Sequence, residues 1–205
     1  MKIEKIAVTV FETNCYILWC EGNDNCLIID PGGDVERIGS VIREHSLQPE
    51  AVLLTHGHID HIGGCDQFEN DIYIHIEDKE FLGKPQLNLS AFLFRPYRVR
   101  KRPLIFANGK LRFSKSGLEI EIIHTPGHTP GSCCFLIENN LFSGDTLFLE
   151  GIGRTDFPRA SYHDLINSIK NKLLILPPDT RVFPGHGPET TIRYELHNNE
   201  FLKDG

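Results

Sequence analysis

The sequence predicts an α/β sandwich with its sheets inside and its helices on the outer faces. Three observations carry that reading. Short apolar runs of strand length dominate both halves of the chain. Two longer segments have the three-and-four spacing of an amphipathic helix. Several of the runs lead into glycine- and proline-rich turns, DPGG after NCLII, HTPG after GLEIEII and PGHG after RVF, so the chain turns sharply where those strands stop.

In chain order, KIEKIAVTV (2–10), NCYILWC (14–20) and NCLIID (25–30) read as strands, with the turn-forming GND before the third. DPGG stops that strand. Asp34 is placed to cap a helix whose apolar face is Val35, Ile38, Val41 and Ile42. AVLL (51–54) is too short for a helix and reads as a buried strand. DIYIHI (71–76), GKLRF (109–113) and GLEIEII (117–123) follow. In the last, Leu118, Ile120 and Ile122 alternate with Glu119 and Glu121, as in a half-buried strand. CCFLI and NLFSGD are further strands. Ser161 and Asp164 make a capping-box-like start before Leu165, Ile166, Ile169, Leu173 and Leu174, an amphipathic helix. RVF (181–183) is a short strand and 191–202 a terminal helix. The segment 80–108 is the least regular and reads as a long functional loop.

A length of 205 residues suits one domain, 1–205, with a sizeable core. The formal net charge of -7 disfavours nucleic acid as a partner. One basic cluster, Arg95, Arg98, Arg100, Lys101 and Arg102, cuts against that charge and reads as a solvated loop. No apolar stretch approaches the roughly 20 residues of a membrane span, and no signal-peptide pattern opens the chain, so a cytoplasmic address is expected. The six cysteines form no CxxC pair and read as reduced, most of them small core residues. Cys133 and Cys134 should face opposite sides of one strand.

Four strand-end turns carry metal-binding side chains. THGHIDH (55–61) offers His56, His58, Asp60 and His61; HTPGHTPGS offers His128; LFSGDTLF offers Asp145; VFPGHGPE offers His186. Imidazole and carboxylate together suit zinc, iron or manganese. Five histidines and two aspartates exceed the three or four protein ligands of a mononuclear site. Two metals sharing one ligand fit the count. The division expected is His56, His58 and His128 on the first metal, Asp60, His61 and His186 on the second, and Asp145 bridging through its two oxygens. His45, His75, His124, His163 and His197 are read as non-ligands, His124 as a packed or supporting residue.

THGHIDH, HTPGHTPGS, GDTLF and PGHGPETTI resemble, in that order, the metal motifs of the metallo-β-lactamase superfamily. NCYILWC, NCLIIDPGG and GDTLFLEGIGRTDFP are most similar to the small glyoxalase II-like hydrolases within it. The resemblance implies a four-layer αβ/βα sandwich with two mixed sheets inside and a dinuclear site at one edge. It implies two divalent metal ions, zinc first and iron or manganese as alternatives. Such ions, sharing a water, hold hydroxide near neutral pH and polarise a carbonyl, with Asp60 orienting the hydroxide. The implied reaction is hydrolysis of S-D-lactoylglutathione or a related glutathione thioester. Arg154 matches a cationic residue that meets the glutathione moiety; a structural ion pair with Asp156 is the equal alternative. Two-domain glyoxalase II enzymes add a C-terminal helical domain; nineteen residues (205 − 186) follow His186 here, so that domain is expected to be absent.

Other readings stay open. A persulfide dioxygenase of the same superfamily would use one iron on His56, His128 and Asp145. A β-lactamase is disfavoured, because the common zinc lactamases place cysteine where Asp145 stands and most are exported. A nuclease is disfavoured by the charge. A non-catalytic metal-binding module would predict missing ligands.

Overall fold

The computed structural model describes residues 1–93 and 95–203. The first half forms a six-stranded sheet in sequence order: β1 (Lys2–Val8), β2 (Thr13–Trp19), β3 (Asn25–Ile29), β4 (Gln48–Leu53), β5 (Asp71–His75) and β6 (Leu104–Phe106). Its first two pairings are antiparallel and the next three parallel. Helix α1 (Val35–Glu44) joins β3 to β4, and the short helix α2 (Ile59–Ile62) follows β4.

The second half supplies β7 (Gly109–Arg112), β8 (Glu119–His124), β9 (Cys133–Ile137) and β10 (Asn140–Gly144), then a small ribbon, β11 (Leu147–Phe148) with β12 (Gly151–Ile152). Helix α3 (Tyr162–Ser168) leads to β13 (Arg181–Pro184) and β14 (Thr190–Thr191), and α4 (Ile192–Asn198) follows. The second sheet runs β14-β13-β10-β9-β8-β7, with only β10 and β13 parallel.

Period-two alternation explains why the sheets stack. In β2, Tyr16 and Leu18 point between the sheets, whereas Cys15 and Ile17 face the outer layer. In β3, Leu27 and Ile29 point inward and Cys26 and Ile28 outward. The inner face of the second sheet answers with Ile120, Phe135, Phe142 and Phe183. The rings of Phe142 and Phe183 stack at 5.0 Å, and Tyr16 meets both edge-on. Ile38 of α1 packs the outer face of the first sheet, and Leu165, Ile169, Leu173 and Ile192 pack that of the second. The result is the four-layer sandwich. Cys133 faces the inter-sheet core and Cys134 the outer one, and all six cysteines are free thiols.

Several boundaries differ from expectation. The first strand stops at Val8, because Thr9 turns left-handed (φ 64°) and Val10 is 92% exposed. Asp34 stands at the start of α1 but makes no side-chain cap; at φ 47° its carboxylate instead accepts the Thr9 N–H at 2.8 Å. β4 begins at Gln48 in polar sequence that carries no apolar signal. Segment 80–108 is not all loop: it holds 3₁₀ turns at Phe81–Gly83 and Ser90–Leu93 and the edge strand β6, three residues that pair parallel to β5. The Ser161 cap holds, with its hydroxyl accepting the Asp164 N–H, but beyond Ser168 the helix widens into a π-helical turn, Ile169–Leu173. At the C-terminal end Asn199 breaks the helix and caps a separate 3₁₀ turn.

Phe135 is fully buried at the centre of the inter-sheet core. Phe135→Ala is expected to cost about 3–5 kcal/mol through lost transfer energy and the cavity left behind. A urea titration should show a lower midpoint with the denaturant slope unchanged.

Candidate metal centre

Strand direction gathers the site. β8 and β10 are both antiparallel to β9, and β13 is parallel to β10, so β8, β10 and β13 all run the same way. Residues just beyond their C-terminal ends therefore meet at one edge of the sandwich: His128 after β8, Asp145 after β10, His186 after β13. The first sheet contributes His56 and His58 after β4, then Asp60 and His61 from α2. Backbone bonds lock the two edges together, Cys133 N–H to the Thr55 carbonyl at 2.9 Å and Asn14 N–H to the Gly185 carbonyl at 2.7 Å.

All seven residues read as ligands converge. His56, His58 and His128 form one group, Asp60, His61 and His186 another, and His56, His61 and Asp145 a third that spans them; within each group the candidate ligand atoms lie within 4.8 Å of one another. Asp145 sits between the first two groups, with Oδ2 3.5 Å from His128 Nε2 and 3.6 Å from His186 Nε2 and Oδ1 3.3 Å from His61 Nε2. Asp60 Oδ2 is 3.2 Å from His186 Nε2. His56 Nε2, His61 Nε2 and Asp145 Oδ1 are buried and make no hydrogen bond. Leaving such atoms unsatisfied costs on the order of 1–3 kcal/mol each, and a cation is the partner that lone pairs and carboxylates share. The residues fit divalent metal.

Outer contacts orient the imidazoles. Asp30 Oδ2 accepts from His61 Nδ1 at 2.9 Å and from the Thr55 hydroxyl at 2.6 Å. With its proton committed to Asp30, Thr55 Oγ1 can accept from His56 Nδ1 at 3.2 Å. His128 Nδ1 donates to the Arg154 carbonyl at 2.8 Å, and His186 Nδ1 to the Phe11 carbonyl at 3.0 Å. In four of the five histidines the Nδ1–H is thus bonded outward and the Nε2 lone pair faces the centre. His58 is the exception, presenting Nδ1 2.9 Å from His128 Nε2.

The side chains alone divide electrostatically. Burial pulls His56, His58 and His128 down and keeps them neutral, as metal ligands must be. Burial also opposes charge on His61, but Asp60, Asp145 and Asp30 outweigh it and raise its pKa well above the usual range. Against their own burial, Asp60 and Asp145 are pulled down, His61 foremost among the causes.

Two buried carboxylates escape the sequence reading. Asp30 ends NCLIID and carries the strand-end signal that singled out Asp145, so it was findable. Asp78 gives no such signal. It is fully buried and accepts the Gly57 N–H at 2.8 Å, the Gly131 N–H at 2.7 Å and the Thr129 hydroxyl at 2.7 Å. It thereby joins the turn holding His56 and His58 to the turn holding His128. His124 is a packed residue as expected, stacked on His75 with ring centroids 4.0 Å apart.

Arg154 lies at the rim rather than among the seven. Its guanidinium grips Asp156 through two bonds, of 2.9 and 2.7 Å, and lies 4.3 Å from the Phe157 ring centre. The ion-pair alternative is the one the structure displays. In the basic segment, Lys101 Nζ bonds the Phe68 carbonyl and the Arg100 N–H bonds Asp66. A cavity of about 580 Å³ opens over the centre, lined by His58, Asp60, His128, Asp145 and His186 at its floor. No helix among the described residues is long and apolar enough to cross a membrane.

The profile of the metallo-beta-lactamase superfamily matches residues 8–186. The chain is 41% identical to hydroxyacylglutathione hydrolase GloC of Haemophilus influenzae, over 98% of each chain. Among solved structures it is similar to the B3 metallo-beta-lactamase BLEG-1, with a TM-score of 0.93 and 38% identity over 99% of this chain and 100% of the other. It is similar also to TTHA1623 in a di-iron-bound form, with a TM-score of 0.85 and 33% identity over 97% of this chain and 100% of that one.

Gly185 tests how tightly the floor is built. A Cβ there would stand 2.3 Å from Asp145 Oδ1 and 2.9 Å from His61 Cε1. Gly185→Ala should displace Asp145 and lower affinity for divalent metal at least tenfold while the fold survives, read as metal retained against a competing chelator.

Asp78 supplies a pH signature. Burial pushes its carboxyl up to about 6, against the lowering effect of its three donors. The folded pKa then exceeds the unfolded one, so the native state holds a proton that the unfolded chain releases between pH ~4 and ~6. This group's contribution to stability falls across that window, by on the order of 3 kcal/mol, and is flat above it. The difference in unfolding free energy between parent and Asp78→Asn should shrink from pH 4 to 6 and then level off. A difference that grows with pH overturns the assignment.

Proposed function

The chain belongs to the metallo-beta-lactamase superfamily, and from that premise we propose that it is a metal-dependent thioester hydrolase of the glyoxalase II type. The observation that carries this is the complete second cluster, Asp60, His61 and His186, facing the first across Asp145. His56, His58 and His128 would hold one ion, Asp60, His61 and His186 the other, with Asp145 shared. Two divalent cations there supply Lewis acidity for a carbonyl oxygen and lower the pKa of water. Zinc, iron and manganese all suit this donor set, and likeness to a di-iron-bound protein supports iron as well as zinc.

The chain's own residues do the positioning. Asp60 lines the cavity floor, held by the Thr13 hydroxyl at 3.1 Å, and accepts a hydrogen bond from the attacking water. The water oxygen bonds to the thioester carbonyl carbon and the C–S bond breaks. The products are a carboxylate, a thiol and one released proton. A thiolate leaves without a strong acid beside it, which matches a cavity whose only described cationic side chain besides histidine, Arg154, is held by Asp156. Likeness to GloC supports a glutathione thioester such as S-D-lactoylglutathione. On this reading Arg154 meets a glutathione carboxylate in exchange for Asp156.

Likeness to BLEG-1 favours a second substrate class, β-lactams. The mononuclear-iron dioxygenase reading leaves Asp60, His61 and His186 without a task.

Reconstituted protein should bind up to two metals per chain, and Asp145→Ala should weaken both sites. Elemental analysis that never exceeds one metal under excess zinc, iron or manganese would falsify the dinuclear reading.

His186→Ala should lower lactoylglutathione hydrolysis by about 10–100-fold or more with the fold intact. Parent and variant are assayed together for thioester and nitrocefin hydrolysis and for oxygen uptake with glutathione persulfide. Oxygen uptake kept in the variant, with no thioesterase in either protein, replaces the hydrolase reading by the dioxygenase. Nitrocefin turnover far above thioester turnover promotes the lactamase.

A further inference from the structure

Around the metal-binding floor the cavity walls are hydrocarbon. Phe11 and Phe148 lie beside His186, Phe157 beside His58 and His128, and Leu89, Phe92 and Leu93 complete the lining. Phe11, Phe92 and Leu93 are 45%, 66% and 42% exposed. Large apolar side chains grouped at the mouth of one cavity mark a binding surface more often than scattered ones do. Among the described residues that line the cavity there is no hydroxyl or amide side chain; the polar groups are the five floor residues and the Arg154–Asp156 pair.

Each wall is tied to a proposed metal ligand or its neighbour. The Phe11 carbonyl accepts His186 Nδ1–H at 3.0 Å. The Asn88 carbonyl, next to Leu89, accepts the N–H of Ile59 at 2.8 Å, next to Asp60. Asn88 also braces its own segment, its side-chain amide donating to the carbonyls of Phe81 and Tyr97. The Phe157 ring lies edge-on to His58 at 5.4 Å and to His128 at 6.0 Å. A hydrocarbon chain held by these walls is therefore held in register with the reacting carbonyl.

We propose that this cavity is an acyl pocket, so that the preferred substrates are thioesters of medium-length hydrocarbon acids rather than of hydroxylated lactate. The proposal rests on the hydrolase reading for turnover but not for binding. A lactoyl hydroxyl would meet apolar walls and find no hydroxyl or amide side chain among the described lining residues, whereas each methylene buried there adds up to about fourfold in affinity. The charged carrier lies outside, toward the Arg154–Asp156 rim.

Two non-hydrolysable thioethers separate binding from chemistry. By titration calorimetry on zinc-loaded protein, S-hexylglutathione should bind at least tenfold more tightly than S-methylglutathione. In the Phe92→Ser, Leu93→Ser double variant that ratio should fall below threefold. Both positions are exposed, so the melting temperature should hold, and Ile175→Ser, an exposed apolar residue (74%) outside the cavity lining, should keep the parent's ratio. In turnover, kcat/KM for S-hexanoylglutathione should exceed that for S-lactoylglutathione about tenfold. Equal binding of the two thioethers, or a preference unchanged in the double variant, overturns the acyl pocket. A hexyl preference lost in the double variant, with no thioester hydrolysed, leaves the pocket standing and removes the hydrolase reading. Lactoylglutathione turnover without any chain preference does the reverse.

Discussion

Five imidazoles and two carboxylates crowd one another at one edge of this sandwich, and much of the molecule is arranged to hold them there. His56 Nε2, His61 Nε2 and Asp145 Oδ1 are buried without partners. Those atoms find no hydrogen bond within the protein, and strands and turns on every side keep the groups from moving apart. The parallel run of β8, β10 and β13 brings three ligand turns to one place, and close backbone packing keeps side chains from swinging away. Gly144 shows how close: at φ 48° it lies under Thr55, where a Cβ would be 2.4 Å from Oγ1.

Two buried carboxylates act as struts for this frame. Asp30 takes the Thr55 hydroxyl and N–H and His61 Nδ1, so a single side chain orients His61 directly and His56 through Thr55. Asp78 spans the two sheets' ligand turns, accepting donors from Gly57, Thr129 and Gly131. Their burial is expensive for a charge, and the donors around each offset it. Position at the centre thus depends on residues that touch no substrate.

The walls above the centre follow a different logic. Elsewhere the apolar side chains of the sheets pack into three buried clusters. Around the cavity, phenylalanines and leucines remain partly in water while their backbones hold ligand-bearing turns. The charged floor and the apolar walls of the cavity are therefore built on linked loops.

The residues that cluster as candidate ligands were legible in the sequence because metal chemistry restricts residue types and because their strand-end turns are marked by glycine and proline. The strands were legible through two-fold alternation, which also placed Cys133 and Cys134 on opposite faces. Short-range signals failed where partners are distant in sequence. Asp34 has the composition of a cap, yet its carboxylate is taken by Thr9. β6 is three residues long and exists because β5 offers it an edge. Asp78 lies outside every motif, and its role arises only when β4 and β8 come together. Arg154 shows a different limit: its partner Asp156 lies only two residues on, but sequence permits a carrier carboxylate equally, and the structure pairs it with Asp156 at 2.7 Å. Residue type and periodicity determined which groups could bind metal and which faces would be buried. Which carboxylates support the centre, and which apolar side chains wall it, are long-range contacts that no local pattern encodes, so the tertiary structure alone decided them.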